Sequence, residues 1–119
     1  MSERGVSEST QWALLIPVLM LAVLGTIQAG IWLHGRTVAA QAAGAAAEQI
    51  AWSRGSDGDA AALGRRIAGA GGLQSAQVRI ARSAGSVRVT VTARAALIID
   101  LGLAAITEHA VMPLERTGP

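Results

Sequence analysis

Cysteine, lysine, phenylalanine and tyrosine are all absent from this chain of 119 residues. Without cysteine the chain forms no disulfide, offers no thiolate nucleophile and builds no cysteine-based zinc site. Three tryptophans are the only large aromatic side chains, and all ten basic residues are arginines scattered among acidic residues. A nucleic-acid surface needs a clustered basic stripe or a set of stacking rings, so we expect no nucleic-acid partner.

Small and aliphatic residues are what the chain has in abundance, and hydrophobic residues make up 51% of it. Its formal net charge is only +2. A chain of this length has room for one small domain, and a long membrane or packing helix would leave only a thin core for the rest. The decisive feature is therefore where the apolar residues lie along the chain.

An uncharged run covers residues 9–35, which is 27 positions. A helix needs about 20 such residues to span a bilayer. Eleven positions in the run are Leu, Ile or Val, which together favour insertion by about 5 kcal/mol before Pro17, Gln28 and the glycines reduce it. The run predicts a transmembrane or packing helix whose membrane part is about residues 12–34.

A cleaved secretion signal is the main alternative for this run, with an A-x-A site at Ala40, Gln41 and Ala42. Against it, the uncharged run is longer than a usual signal core, and strong helix formers continue after it. We therefore predict one helix over residues 10–52, about 60 Å long at 1.5 Å per residue. Residues 1–9 are then a leader or N-terminal arm.

The second half of this helix carries alanines at helical spacing on one face. Small residues on a stripe allow close helix packing, as in membrane helix pairs. Alanine-rich codon usage would give the same pattern without any packing role. The predicted packing positions are Ala39, Ala43 and Ala47.

The remaining residues, 56–119, predict a small α+β head. Ser56, Asp57 or Asp59 can cap a short helix that runs to about Ala68, with Leu63 and Ile67 as its buried contacts. Apolar and polar residues then alternate in two runs that flank "RSAGS", which predicts a hairpin with one apolar face. Since two strands alone are marginal, we expect a third strand over about residues 104–112. The predicted sheet is antiparallel, with about three strands.

No pattern in the sequence indicates catalysis, and we predict no catalytic, cofactor-binding or metal site and no cofactor. His34 and His109 lie in different segments without metal-ligand spacing, and no G-x-S-x-G elbow surrounds any serine. The "GAGG" segment lacks the lysine of a phosphate loop. Asp57 and Asp59 without further oxygen ligands are typical of helix capping rather than of a calcium loop.

The order of these pieces resembles the TadE-like minor pilins, or pseudopilins, of the tight-adherence (Tad) pilus, a relative of type IV pili. The resemblance rests on "RG" near the start, on "ALLIPVLMLAVLG" with its early proline, and on "QAGIWLHGRTVAAQAAGAAAEQIA". It also rests on the closing "VRVTVTARAALIIDLGLAAITEHAVMPLER". It covers nearly the whole chain, and it implies an anchored, non-enzymatic pilus component.

The resemblance also implies a processing site, because a prepilin-type peptidase cuts after such a glycine. Here the cut would fall between Gly5 and Val6. The family usually has a glutamate at the fifth position after the cut, where it can pair with a neighbour's new amine. In this chain the fifth position is Thr10, Glu8 is the third, and alignment on Pro17 places Gln11 at the glutamate position. Glu8 and Gln11 are therefore the candidate inter-subunit polar contacts.

The resemblance implies other pilin-like subunits, assembly platform proteins, the peptidase and the membrane as partners. It predicts a single-pass protein of the bacterial cytoplasmic membrane with its head outside the cytoplasm, able to enter a pilus. Two alternatives remain. One is a single-pass envelope protein, unrelated to pili, whose head binds a periplasmic partner. The other is a soluble exported protein after signal cleavage.

Overall fold

Two helices and three strands follow one another along the chain in the computed structural model, which describes residues 3–53, 56–99 and 102–114. Helix α1 covers Glu3–Ser53 and helix α2 covers Asp57–Ala70. Strands β1, β2 and β3 cover Gln74–Ser83, Ser86–Arg94 and Ala105–Pro113. A long N-terminal helix, a short second helix and a three-stranded antiparallel sheet confirm the predicted α+β fold class.

The described residues form two compact units, one up to Gly30 and one from Ile31 onward. The division between the two units falls within α1. The N-terminal unit is helix alone. The C-terminal unit contains the rest of α1 together with α2 and the sheet. The residues after Gly30 in α1 therefore share a core with the predicted head.

Helix α1 continues through Pro17. Two of its threonine hydroxyls donate hydrogen bonds to backbone carbonyls of the preceding turn. Thr26 Oγ1 donates to the Ala22 carbonyl at 2.8 Å, and Thr37 Oγ1 donates to the Leu33 carbonyl at 3.1 Å. Bonds of this kind to the preceding turn satisfy a hydroxyl without any outside partner. Thr26 is therefore compatible with an apolar surrounding.

The local sequence accounts for both ends of α2. Ser56 is the N-cap, and its hydroxyl accepts a hydrogen bond from the Asp59 backbone N–H at 3.1 Å. At the other end Gly72 adopts φ +93, its N–H donates to the Gly69 carbonyl, and the Leu73 N–H donates to the Ala68 carbonyl. These two bonds form a Schellman motif, which requires a left-handed residue that glycine adopts without steric strain.

The sheet has the strand order β1-β2-β3, and both strand pairs are antiparallel. Gly85 at φ +80 makes the tight turn between β1 and β2, where Ser83 pairs with Ser86. Near the start of β1 the register shifts between Gln74 and Gln77. The hairpin is thus confirmed, and β3 begins one residue later than predicted.

Alternation along β2 places Val87, Val89 and Val91 on the inner face, where all three are fully buried. They share one core with a stripe on α1 and with α2. Gly64 of α2 lies close to both α1 and β1, because a Cβ there would lie 3.0 Å from Val78 Cγ2 and 3.6 Å from Ala46 Cβ. The absence of a side chain at Gly64 therefore allows α2 to pack closely on α1 and β1.

The predicted contacts of α2 need a correction. Leu63 and Ile67 are only partly buried, whereas Ala60, Gly64 and Ala68 are the buried positions of this helix. The larger side chains lie at the margin of the contact because the space between α2 and α1 admits only small residues. Ile67 still packs against the core from that margin.

Candidate membrane anchor and its polar border

The N-terminal unit exposes almost all of its large apolar side chains. Leu21, near the middle of the uncharged run, is 68% exposed. The same holds for a set of Trp, Leu, Ile, Val and Met residues distributed around the helix: Trp12, Leu14, Leu15, Ile16, Val18, Leu19, Met20, Val23 and Ile27. Soluble monomers rarely expose an apolar surface of this extent, so a lipid or protein environment must cover it.

Length and composition also make α1 a candidate membrane span. The candidate helix, Ser7–Trp52, is near the N-terminus, and none of its most apolar window is buried. The exposure excludes a role for that window as a core helix among the described residues. A helix can cross a membrane because its backbone N–H and C=O groups form hydrogen bonds within the segment.

A polar cluster lies within the C-terminal unit, and its first member follows the exposed apolar stretch by a few residues in sequence. The Arg36 Cζ atom lies 5.1 Å from the centre of the Trp32 ring, and Arg36 Nε donates to Glu108 Oε1 at 2.8 Å. Trp32 and Arg36 are about one turn apart on α1. Glu108 is on the inner face of β3, which is an edge strand of the sheet. The cluster therefore joins the helix to the sheet.

These residues suit the border of a membrane. Tryptophan favours the headgroup level, and arginine keeps its charge in water while its stem lies along apolar surface. Sequence reasoning missed the pairing of Arg36 with Glu108, which are separated by 72 residues. The only local signal was the four-residue spacing of Trp32 and Arg36.

A second ion pair in the C-terminal unit connects α2 to β1. Arg82 Nη2 donates to Asp57 Oδ1 at 2.5 Å, which connects the end of β1 to the first turn of α2. The hydrogen bond from Arg82 lowers the pKa of the Asp57 carboxyl below its ordinary value and raises the pKa of Arg82. Asp57, one of three candidate caps, thus binds an arginine while Ser56 caps the helix.

The predicted processing residues lie at the start of α1. The described backbone is helical at Gly5 and Val6, and the Val6 side chain lies outside the described part of the structure. Glu8 and Gln11 are exposed and three positions apart, so they are neighbours on the helix surface. Processing and inter-subunit contacts at these four residues remain predictions.

The predicted packing alanines are buried within the chain itself. Ala43 is 0% exposed, and so are Ala39 and Ala47. All three belong to the core cluster that contains the β2 valines. Packing of this face against another subunit remains a prediction, and it would require the face to be uncovered.

Two features are absent from the part of the chain that the structure describes: a metal-binding cluster and an unsatisfied buried polar side chain. Among the described residues no group of three or more His, Cys, Asp or Glu side chains could hold a metal ion. Within the same ranges no buried side-chain nitrogen or oxygen lacks a hydrogen-bond partner. The groove beside the Arg36–Glu108 pair is an open surface depression lined by Leu33, Thr37 and Ala40 as well.

These features define a class: an α+β protein whose N-terminal apolar helix is long enough to span a membrane. Within that class, residues 7–48 match the family model described as TadE-like protein, which confirms the resemblance over that segment. The match covers the exposed apolar helix and the alanine face of α1, and it ends before α2. The family fits a component associated with a Tad pilus, and the apolar helix is compatible with anchoring.

Comparisons with curated proteins and with solved structures returned no match.

Proposed function

We propose that this chain is a non-enzymatic, minor pilin-like component of a Tad-type pilus assembly or secretion system. The observation that carries the proposal is the coincidence of two features on residues 7–48. This segment matches the TadE-like family, and its first half is the exposed apolar helix. A fold-level argument alone would not support a function, because function resides in particular surfaces.

Anchoring follows from the exposed side chains. Transfer of the Leu, Ile and Val side chains into a bilayer favours insertion by about 0.3 to 0.6 kcal/mol each. The segment of about residues 12–34 therefore holds the chain in the cytoplasmic membrane as a single span. The C-terminal unit, with its ion pairs and polar outer sheet face, lies outside the cytoplasm in this proposal.

Pilin-like subunits and platform proteins would pack on the exposed part of the same helix. Lipid tails are as apolar as leucine, so association within a membrane depends on close packing and polar contacts. Leu14, Val18 and Leu21 are exposed and recur at helical spacing, so a neighbouring helix can contact all three. Glu8 and Gln11 supply polar contacts at the start of the same surface.

Processing by a prepilin-type peptidase would leave Val6 with a positive amine close to Glu8. Both charges are costly among packed helices unless they pair with each other or with a neighbouring subunit. Cleavage would also remove Arg4, which leaves no basic residue before Arg36. The N-terminal residue of protein from the native host, read by mass spectrometry, tests this step, with Val6 expected and Met1 or Ser2 contradicting it.

The second candidate is a single-pass envelope protein whose head binds a partner without any pilus. One observation favours it: the family match ends at residue 48, so α2 and the sheet lie outside it. The outer sheet face also carries the exposed arginines Arg79 and Arg88, and the only acidic residue within the three strands, Glu108, lies on the inner face. An acidic periplasmic partner would suit that face.

Co-purification and pilus assembly separate the two candidates. We expect the tagged full chain, extracted from the native membrane, to carry pilin-like and platform proteins with it. Deletion of its gene should reduce surface pili, and the wild-type chain should restore them. Unchanged pili together with an envelope partner from outside the pilus system would overturn the proposal and favour the second candidate. Neighbouring genes for a secretion ATPase and platform proteins would support the first.

A further inference from the structure

Strand β3 is an edge strand of the sheet, and its pairing with β2 is regular along the whole of Ala105–Pro113. The strand at the opposite edge, β1, has a register shift between Gln74 and Gln77. Such an irregularity is one of the devices that protect a sheet edge from pairing with another chain. Of the two edges, that of β3 is therefore the better suited to accept a further strand.

Two hydrogen bonds establish which backbone groups of β3 point to this open edge. The Ala95 N–H donates to the Ala104 carbonyl, and the Leu114 N–H donates to the Gly85 carbonyl, both at 2.8 Å. Ala104 and Leu114 border β3, and both direct their groups to the side of β2. Successive residues of an antiparallel strand direct these groups to opposite sides, so the odd-numbered residues of β3 face the open edge. The residues that offer an N–H there are Ala105, Thr107, His109 and Val111, since Pro113 has none.

The inner side of this edge meets helix α1 within the C-terminal unit. Two surface depressions share the Arg36–Glu108 pair as a border. One is also lined by Leu33, which is 57% exposed, and the other by Trp32 and Thr107. Side chains alternate between the two faces of a strand, so an added strand would direct every second side chain into these depressions. Aliphatic residues suit those inward positions because Leu33 and Trp32 offer apolar surface.

The outer face beside the same edge carries positive charge. Arg88 lies on β2, directly opposite Val111, and it is exposed. The three strands place no acidic residue on this face. Neighbouring strands are about 4.8 Å apart, so an added strand would lie about 10 Å from β2. That separation is about one screening length at 0.1 M salt, and long side chains shorten it. Outward carboxylates on the added strand would therefore be attracted to Arg88.

We propose that β3 accepts a fourth strand from a partner protein, a segment in which acidic residues alternate with aliphatic ones. Backbone hydrogen bonds to the odd-numbered residues of β3 supply the affinity in this mode of binding, and the alternating side chains supply the specificity. The proposal goes beyond the pilus assignment and does not rest on it, because every contact lies in the C-terminal unit. The added strand would also remove an open edge on which chains could otherwise aggregate.

Amide hydrogen exchange of the full chain in detergent micelles, read by NMR, tests the strand addition. The probe is a capped synthetic peptide of alternating valine and glutamate, as long as β3. We expect it to slow exchange several-fold at Thr107, His109 and Val111. The amides of Glu108 and Ala110, which bond to β2, should exchange slowly even without the peptide. Unchanged exchange at the odd-numbered amides would overturn the proposal. Their protection without any peptide would overturn it as well, because a second copy would then cover the edge.

Methylation of the peptide backbone separates strand addition from attraction between charges alone. Alternate residues of an extended peptide direct their N–H groups to opposite edges. One peptide is therefore N-methylated at its glutamates and another at its valines, which leaves the charge unchanged. Strand addition requires that only one of the two peptides loses its binding. Equal behaviour of the two methylated peptides would overturn the proposal.

The acidic character of the partner is tested by Arg88→Gln. This variant should bind the glutamate peptide several-fold more weakly than the wild-type chain does. Arg65→Gln is the matched control, because Arg65 is exposed on α2, away from the strands, and its replacement should leave binding unchanged. A peptide of alternating valine and glutamine should bind the wild-type chain several-fold more weakly than the glutamate peptide. Equal binding of these two peptides would overturn the proposal of an acidic partner.

Discussion

Helix α1 contains two apolar stretches with opposite exposure. Leu21 represents the first, which is rich in Leu, Ile and Val and is largely exposed. Ala43 represents the second, where alanines form a fully buried stripe against α2 and the sheet. The difference teaches that overall apolarity does not decide which part of a helix enters a protein core. Small side chains let other elements of the chain approach closely, whereas the large ones are left for lipid or for another protein.

The largest effect is expected from a charge placed on the buried stripe. Ala43→Asp leaves a carboxylate without a partner in the core, and an uncompensated buried charge costs about 3–5 kcal/mol. The C-terminal unit should lose its cooperative thermal unfolding in detergent. Ala62→Asp is the matched control on an exposed position of α2, with an expected effect within about 0.5 kcal/mol. Equal loss in both variants would show that the stripe is not a core.

The next largest effect should come from a charge on the exposed stretch. Leu21→Arg costs about 3 kcal/mol at the centre of a span, which removes much of the driving force for insertion. The measurement is the fraction of full-length protein that remains with membranes after carbonate extraction. Val111→Arg, which changes a similarly exposed residue of β3, should leave that fraction unchanged. Recovery of the wild-type chain in the soluble fraction would contradict the anchor.

Two glycines near the end of α2 should respond in opposite directions to the same change. A Cβ on Gly71 would lie 2.7 Å from Val38 Cγ2, and valine has little freedom to move aside, so Gly71→Ala should destabilise by about 1–3 kcal/mol. Nothing lies within 4 Å of a Cβ on Gly69. Gly69→Ala should therefore stabilise by up to about 1 kcal/mol. Thermal unfolding measures both, and equal signs would refute the predicted close contact with α1.

The smallest effect concerns the Asp57–Arg82 pair on the surface. Because the pKa of Asp57 is lowered in the folded protein, its contribution to stability is present above the ordinary aspartate range near pH 4. It is lost as the pH falls through the lowered value. Asp57→Asn should therefore reduce the decrease in melting temperature that occurs when the pH is lowered below about pH 4. An unchanged acid profile would contradict the pairing, and exposure of both side chains keeps the expected shift small.

Much of the fold is predictable from short patterns. The uncharged run, the Ser56 cap with its glycine stop, and the alternation around Gly85 each concern residues close in sequence, where periodicity and backbone preferences act directly. The contacts of the candidate site are harder to predict from such short patterns. Glu108 carries no local sign that it binds Arg36.

The sequence by itself determined where an apolar helix, a short capped helix and a hairpin form, since these depend on interactions within a few residues. Residues 7–48 also match the TadE-like family model by sequence alone. Only the tertiary structure decided that the alanine stripe is covered by the chain's own sheet and second helix, and that Arg36 contacts Glu108. It also decided that Gly35 lies against Leu73, Ala95 and Ile106. These features depend on contacts between residues far apart in the chain, and such contacts exist only after the helices and strands have packed around one core.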